Sequence, residues 1–181
     1  MKTPGEESMM DDVQYLLDAH RIGQCLLKYP VALDSRDFDL LQSLFTPDAR
    51  IDIPAAGVFD AAGYRAASEA GLGRLDATQH FVGQPVLRIE GDRAWARSYL
   101  LAQHVLNALA PDGTLKIGAW YEDELRRVDG CWLICARTGN AVWWEGNPAV
   151  LGLEGVPNAF ARHAGHRSPA WLQVRMNPET C

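Results

Sequence analysis

The chain has 181 residues, of which 48% are hydrophobic and 22% charged, and its formal net charge is −6. These values are typical of one globular domain and exclude a disordered or fibrous chain. The lysines and arginines are scattered and no run of 18 apolar residues occurs, so we expect neither a nucleic-acid partner nor a membrane span. The acidic N-terminus lacks the apolar core of a signal peptide, which predicts a cytoplasmic protein.

The N-terminal half is predicted to be mainly helical after a flexible tail at residues 1–10. Apolar residues recur every three or four positions from Asp11 to Asp34 and predict a helix. Pro30 interrupts this pattern, so we expect a kink or an early end of the helix near Tyr29. The spacing of apolar residues and the positions of Gly, Pro and Asp predict the remaining elements of this half. These are a helix over 35–45 that residues 46–48 bring to an end, a strand over 49–53, a loop over 54–57 and a helix over 60–72.

The second half of the chain is predicted to be mainly strands, because it contains three hairpin turn signals at 90–92, 111–113 and 129–130. They divide it into strands over about 79–89, 92–108, 114–128 and 131–144. Because connections this short require antiparallel neighbours, we expect a meander with the helices packed on one face of a curved sheet, which is an α+β fold. One domain over 11–144 is predicted. Residues 145–181 carry no strong period and are expected to cover a sheet edge or the mouth of a pocket.

The long strand after residue 92 has one face of small and apolar residues. Within this face, which runs over alternate residues from Ala94 to Leu106, only Ser98 and His104 are polar. Small residues on a concave sheet leave volume uncovered, so this face predicts a hollow into which His104 points. A buried histidine without a partner is costly, which favours a functional reading of this residue over a structural one.

Asp34 and His80 are residue types from which an acid–imidazole pair can be formed. Asp34 directly follows an apolar helical run, where the helix dipole disfavours an acid, so another group is expected to hold it. His80 begins a strand beside the connection from helices to sheet and is a suitable partner. A carboxylate that accepts one ring N–H fixes the tautomer, and the other ring nitrogen can then accept a proton. The alternatives are a helix-end carboxylate that caps nearby amides and a structural histidine.

A series of short motifs carries a family resemblance. In chain order they are Tyr29-Pro-Val-Ala-Leu-Asp34, Phe38-Asp-Leu-Leu-Gln-Ser-Leu-Phe45, Thr78-Gln-His80-Phe, Ala102-Gln-His104, Gly118-Ala-Trp120-Tyr121, Asp129-Gly-Cys-Trp132 and Arg137. This order resembles the SnoaL-like branch of the NTF2-like superfamily over residues 11–140. The resemblance implies a cone-shaped α+β barrel with one deep pocket.

Within this branch the pattern is most similar to scytalone dehydratase, bile acid 7α-dehydratase and hexachlorocyclohexane dehydrochlorinase. These enzymes eliminate a small molecule across two carbons without a metal or an organic cofactor, so the resemblance implies that none is needed here. By this resemblance Asp34 and His80 match the shared catalytic pair, and Tyr29 matches the tyrosine of the bile acid enzyme. His104 matches the second histidine of scytalone dehydratase, and Arg137 matches an arginine of the other two enzymes.

The expected function is a cofactor-independent lyase, a dehydratase that acts on a small hydrophobic cyclic substrate. His80 is expected to be the base and Asp34 its orienting partner, with His104 or Tyr29 assisting departure of the hydroxyl. Five further residues are expected to bind substrate: Arg137, Ser98, Tyr121, Trp120 and Asn140. For Arg137 the alternative is an ion pair with an acid of the neighbouring strand, Glu122 or Asp123.

Two other functions stay open at this stage. A proton-shuttling isomerase would use nearly the same groups, and a module that only binds small molecules or dimerises would need no chemistry. No metal-binding spacing is visible among the cysteines and histidines, so no metal is expected. By analogy with this fold, an exposed sheet face predicts a homodimer or homotrimer.

Overall fold

The computed structural model of the chain describes residues 4–53 and 56–153. Three helices and seven strands lie within these ranges: α1 (Pro4–Ser35), α2 (Phe38–Ser43), β1 (Phe45–Ile53), β2 (Gly57–Phe59), α3 (Ala61–Leu72), β3 (Ala77–Val82), β4 (Val86–Glu90), β5 (Arg93–Val105), β6 (Thr114–Val128) and β7 (Cys131–Gly146). Two short 3₁₀ turns follow β5 and β7, at Asn107–Leu109 and Pro148–Leu151.

The strands form one sheet in the order β2-β1-β7-β6-β5-β3, with β4 also paired to β5. All pairings are antiparallel except the parallel pairing of β1 with β7. The hairpin of β6 and β7 turns at Asp129 and Gly130, both with positive φ, as a tight two-residue turn requires. The helices pack on one face of this curled, unclosed sheet, so the predicted α+β cone fold is confirmed.

The N-terminal helix differs from the prediction at both ends. It begins at Pro4 rather than Asp11, so residues 4–10 of the expected tail are helical, and it continues through Pro30 to Ser35. The early end near Tyr29 is therefore wrong. Tyr29, Ala32 and Leu33 are almost fully buried around Pro30, and this packing on the sheet outweighs the loss of one helical hydrogen bond.

The helix predicted over 35–45 is shorter and spans Phe38–Ser43, and the strand predicted over 49–53 already begins at Phe45. Phe45 pairs with Ile134 of β7, and the Ile134 amide donates to the carbonyl of Leu44, so the sheet overrides the local signal. The predicted strand over 79–89 is two strands, separated around Gly83 and Pro85. The short strand β2 was not predicted. The division into a tail, a domain and an extension stays a prediction, and residues 154–181 of the extension lie outside the described residues.

The core lies between α1 and the concave face of the sheet. Ile22 and Leu26 of α1 are fully buried there, as are Ala94 and Ala96 of β5. The alternation predicted for β5 is confirmed, since Ser98, Leu100, Ala102 and His104 are also buried while Tyr99 and Leu101 are exposed on the opposite face. Alanines at the floor let the helix approach closely on one part of the sheet and leave space on another.

Asp18 fixes α1 to the hairpin of β6 and β7. Its carboxylate accepts two hydrogen bonds from Arg127, at 2.7 and 2.8 Å, one from the indole of Trp132 at 3.1 Å and one from Gln14 at 2.9 Å. The hydrogen bonds from Arg127 hold the pKa of this carboxyl well below its usual range, although burial alone would raise it. This contact sets how the helix lies on the sheet.

No helix of the described residues is both long and apolar enough to cross a membrane. The outer face of β5 exposes Tyr99 and Leu101, and Phe81 of β3 lies beside Leu101. The expected homodimer or homotrimer stays a prediction.

Asp18→Asn is expected to lower the free energy of unfolding by about 2 kcal/mol at pH 7, because the neutral amide loses the charge-assisted pair with Arg127. Urea unfolding measures this loss, with Asp12→Asn on the exposed side of the same helix as the control. The contribution is present above the ordinary aspartate pKa and falls as the pH is lowered through and below that value. An Asp18→Asn variant as stable as the control variant would contradict the anchoring role.

Candidate active site

A cavity of about 360 Å³ lies between the helices and the concave face of the sheet. Its walls are mainly apolar, and three of the alanines that line it, Ala102, Ala119 and Ala141, come from three neighbouring strands. The polar groups that reach it include two histidines and two tyrosines predicted from the sequence: His80, His104, Tyr29 and Tyr121. An apolar cavity with a few convergent polar groups is typical of a site for a small molecule.

Asp34 and His80 form the pair that the family resemblance implies. Asp34 Oδ1 lies 2.7 Å from Nδ1 of His80, and Asp34 Oδ2 accepts a 2.8 Å hydrogen bond from the backbone N–H of the same residue. The His80 side chain is only 6% exposed and lines the cavity, whereas Asp34 stands behind it. The carboxylate therefore fixes the ring from the rear and leaves Nε2 as the free nitrogen.

His104 lies beside His80 in the same cavity. The two ring centroids are 5.3 Å apart with the rings at 69°, and Nδ1 of His104 forms a 2.9 Å hydrogen bond with the hydroxyl of Thr78. Burial, reinforced by the neighbouring His80, lowers the pKa of His104 to about 4, while Asp34 opposes this shift. His104 is therefore neutral at pH 7. Thr78, which sets the orientation of its ring, was not identified from the sequence.

Three tyrosines meet at another part of the cavity wall. The hydroxyls of Tyr29 and Tyr64 hydrogen-bond to each other, and their rings stack with centroids 6.4 Å apart. The ring of Tyr121 packs edge-on against Tyr29 at 5.4 Å. Burial raises the pKa of all three phenols above the ordinary value, so each keeps its proton at neutral pH.

Arg137 lies beneath this tyrosine group and does not line the cavity. It forms a buried bidentate pair with Asp123, with N–O distances of 2.6 and 2.9 Å, as the alternative reading of the sequence anticipated. Its guanidinium carbon lies 4.0 Å from the ring centroid of Tyr29 and 4.3 Å from that of Tyr121. The positive charge therefore acts on the tyrosine rings and reaches the cavity only through them.

The remaining predicted binding residues divide between the cavity and its surroundings. Asn140 lines the cavity and is almost fully buried. Ser98 is buried opposite Tyr121 in the strand register but does not line the cavity. Trp120 is on the outer face of β6, where it contacts Tyr99 and Arg97. The structure thus brings Asn140 to the site and leaves Ser98 and Trp120 outside it.

Several cavity residues were not predicted from the sequence. Tyr64 and Ser68 extend from α3, and Leu151, Gly152 and Leu153 follow the last strand. The apolar spacing of α3 marks its buried face but not how deep each side chain reaches. The last three belong to the segment expected to cover a pocket mouth. Among the residues that the structure describes, no cluster of three or more His, Cys, Asp or Glu could hold a metal ion.

The depressed pKa of His104 makes stability depend on pH. As the pH falls from about 6.5 to about 4, the unfolded chain takes up a proton at this histidine and the folded chain does not, so folding is disfavoured. The contribution that is lost is about 3 kcal/mol. Urea unfolding at pH 7, 6, 5 and 4 is expected to show this fall in the parent protein and not in His104→Gln.

The control for this measurement is His20→Gln, which alters an exposed histidine of α1 and should keep the pH profile of the parent protein. If the His104→Gln profile ran parallel to that of the parent across this range, His104 would not be the buried neutral group described above.

Comparisons with known proteins agree with this fold. The SnoaL-like domain model matches residues 14–138. An uncharacterized protein of Mycobacterium tuberculosis is 33% identical over 134 residues, which cover 73% of this chain and 90% of that protein. A solved structure from Kribbella flavida is 25% identical, with a TM-score of 0.67 over 72% of this chain and 95% of that chain.

Two further solved structures share the fold at lower identity. A scytalone dehydratase-like protein of Novosphingobium aromaticivorans is 22% identical with a TM-score of 0.66, covering 74% of this chain and 89% of its own. A hexachlorocyclohexane dehydrochlorinase of Novosphingobium barchaimii is 18% identical with a TM-score of 0.68, covering 76% and 94%. The resemblance seen in the sequence is confirmed: the chain belongs to the SnoaL-like family within the NTF2-like superfamily.

Proposed function

We propose that this protein is a cofactor-independent lyase that carries out a dehydratase-like elimination on a small hydrophobic cyclic substrate. The observation that carries the proposal is that Asp34 accepts two hydrogen bonds from His80, one from the backbone and one from the ring, at the wall of an apolar cavity. An imidazole held by a carboxylate at Nδ1 is oriented to accept a proton at Nε2. In this reading His80 is the general base and Asp34 its positioning partner.

The reaction begins when Nε2 of His80 takes a proton from a carbon next to a carbonyl group. The electron pair of the broken C–H bond moves towards the carbonyl oxygen and then expels a hydroxyl group from the next carbon. The imidazolium of His80 returns its proton to this leaving hydroxyl, and water departs. Asp34 stabilises the imidazolium between these two steps, as a carboxylate at 2.7 Å does in a charge-assisted pair.

In this proposal His104 forms a hydrogen bond to the carbonyl oxygen of the substrate, on which negative charge develops. Because its pKa is lowered to about 4, it is neutral at working pH and donates a hydrogen bond rather than a proton. When the Thr78 hydroxyl donates to Nδ1, the N–H of His104 is at Nε2. This assignment replaces the acid role for which His104 was a candidate in the sequence.

Tyr29 and Arg137 take supporting roles in this proposal. Tyr29 packs against Tyr121, whose strand partner in β5 is Ser98. The strand partner of His80 in β5 is Ala102, so Tyr29 lies at a distance from His80 along the sheet. This separation favours binding of the substrate by Tyr29 over departure of the hydroxyl. Arg137 supports Tyr29 from behind, because its guanidinium packs against the ring of this residue.

The comparisons support an elimination without fixing the substrate. Two proteins with the same fold carry the names of enzymes that remove water or hydrogen chloride, although their identities to this chain are 22% and 18%. The geometry of His80 and Asp34 also suits an isomerase that returns the proton to another carbon, so the product must be identified.

The proposal predicts that the protein catalyses deuterium exchange at the carbon next to the carbonyl of cyclic ketones in deuterated water. A panel of cyclic ketones and hydroxyketones, followed by NMR, should give at least one substrate. His80→Ala is expected to slow exchange at least about 100-fold, because a general base contributes about that much or more. Asp34→Asn should also slow it, and His20→Ala, an exposed histidine on α1, should not.

The products separate the candidate functions. A hydroxyketone that loses water identifies a lyase, and a shifted double bond without loss of water identifies an isomerase. If no compound of the panel exchanged, or if His80→Ala and Asp34→Asn exchanged at the parent rate, the catalytic proposal would fail and a binding module would remain.

Thr78→Val is expected to slow exchange about tenfold by removing the hydroxyl that orients the ring of His104. Binding of the ketone should change less than the rate, because the cavity keeps its shape. Thr114→Val, at the exposed start of β6, is the control. Unchanged exchange in Thr78→Val would show that the orientation of His104 is set by other contacts.

A further inference from the structure

The solvent side of α1 carries an apolar stripe that neither the core nor the proposed chemistry uses. Val13 is 50% exposed, Leu17 44%, Leu27 40% and Val31 58%. All four lie on the side of the helix opposite the residues that pack on the sheet. Single exposed apolar residues are normal on a protein surface, but these four line up along one helix.

The stripe has the spacing of a coiled-coil interface. Two exposed polar residues stand between its apolar ends, and all six positions follow one another at intervals of four, three, four, three and four residues. The α1 seam consists of these six residues: Val13, Leu17, His20, Gln24, Leu27 and Val31. Alternating intervals of three and four keep one side of a helix against a second helix over several turns. A helix that packs only on a sheet needs one such face, and α1 has two.

The order of residues in the α1 seam is symmetric about its centre. Read from either end, it runs valine, leucine, two polar residues, leucine and valine. An antiparallel pair of α1 helices with a two-fold axis near residue 22 therefore places each valine opposite the other valine of the second copy, and each leucine opposite the other leucine. His20 then meets Gln24 of the second copy, and an imidazole and an amide can form a hydrogen bond.

We propose that the protein forms a dimer in which α1 packs antiparallel against α1 of a second copy along the α1 seam. This surface is separate from the outer face of the sheet, which analogy with the fold favours for assembly. The pairing does not depend on the chemistry of His80 and Asp34, because the residues of the α1 seam do not line the cavity.

A groove beside the α1 seam gives the second helix a place to lie. Its volume is about 380 Å³, and His20, Gln24 and Leu27 form one wall while Pro85 and its neighbours between β3 and β4 form the other. Gly23 also lines this groove, and a Cβ built there would have open space around it. Packing within the described chain therefore does not require glycine here, although glycine weakens a helix. The close approach of a second helix accounts for this residue.

The surface available suits a dimer of modest affinity. Residues 13–31 of a helix span about 28 Å, and a helix with its side chains is about 10 Å wide. With the groove filled, each copy loses on the order of 500 Å² of accessible surface. A specific interface needs about 1,000 Å² in total, so we expect self-association in the micromolar range rather than an obligate dimer.

Sedimentation equilibrium of the full chain over about 1 to about 300 µM tests this pairing, and the parent protein should shift from monomer to dimer. Leu17→Lys and Leu27→Glu each place a charge against an apolar side chain of the second copy. Each is expected to weaken the dimer at least about 30-fold. Leu101→Glu, on the outer face of β5, is the matched control, because Leu101 is 45% exposed. This variant should associate as the parent does.

The double variant Leu17→Lys/Leu27→Glu tests the antiparallel register. In the proposed dimer each introduced lysine lies opposite an introduced glutamate of the second copy, so the dimer should be at least about tenfold tighter than in either single variant. In a parallel pair each position would face itself, and like charges would keep the double variant monomeric. Within one helix the two positions are about 15 Å apart, too far to neutralise each other.

Far-ultraviolet circular dichroism checks that the helices of each variant are intact, and either single variant suffices if the other does not fold. A parent protein that stays monomeric over the whole series would overturn the inference. So would seam variants that associate as the parent does, or a double variant no tighter than the single ones. A loss of association in Leu101→Glu that equals the loss in the seam variants would assign the dimer to the sheet face instead.

Discussion

The double contact between Asp34 and His80 is the constraint on which the rest of the site depends. The carboxylate lies near the C-terminal end of α1, where the helix dipole disfavours negative charge, and the backbone and ring of His80 offset this cost. The same two bonds tie the helix to β3 and orient the imidazole. To reach this position the helix must continue through Pro30, so a backbone hydrogen bond is given up within the element that holds His80 in place.

The two histidines and the tyrosines line one apolar cavity and are held in place by different contacts. Each histidine ring is fixed by a hydrogen bond at Nδ1: Asp34 holds the ring of His80, and Thr78 holds that of His104. The tyrosines instead depend on the buried pair of Arg137 and Asp123, whose cation lies against their ring faces. Removing either partner of that pair would leave a charge uncompensated in the core, at a cost of about 3–5 kcal/mol. The histidines and the tyrosines are therefore supported by separate parts of the fold.

Sequence reasoning reached the site unevenly, for physical reasons. The alternation of residues along β5 was sufficient to predict that His104 points inward, because successive side chains of a strand lie on opposite faces of the sheet. The contact of Asp34 with His80 joins residues 46 positions apart, and only the family resemblance suggested it. Pro30 was read correctly as a local preference against a helix, but the packing of α1 on the sheet outweighed it. Tyr64 was missed because helical spacing identifies a face and says nothing of depth.

The alanines of the concave face determine which molecules the cavity can hold. Ala102, Ala119 and Ala141 set the shape of the cavity by the methylenes they lack, and none of them contributes a reacting group. Exchanges among alanine, valine and leucine at these positions would change which molecules fit and would leave His80 and Asp34 in place. The size and shape of the molecule that fits can thus change through a few apolar replacements, while the polar groups of the cavity wall stay the same.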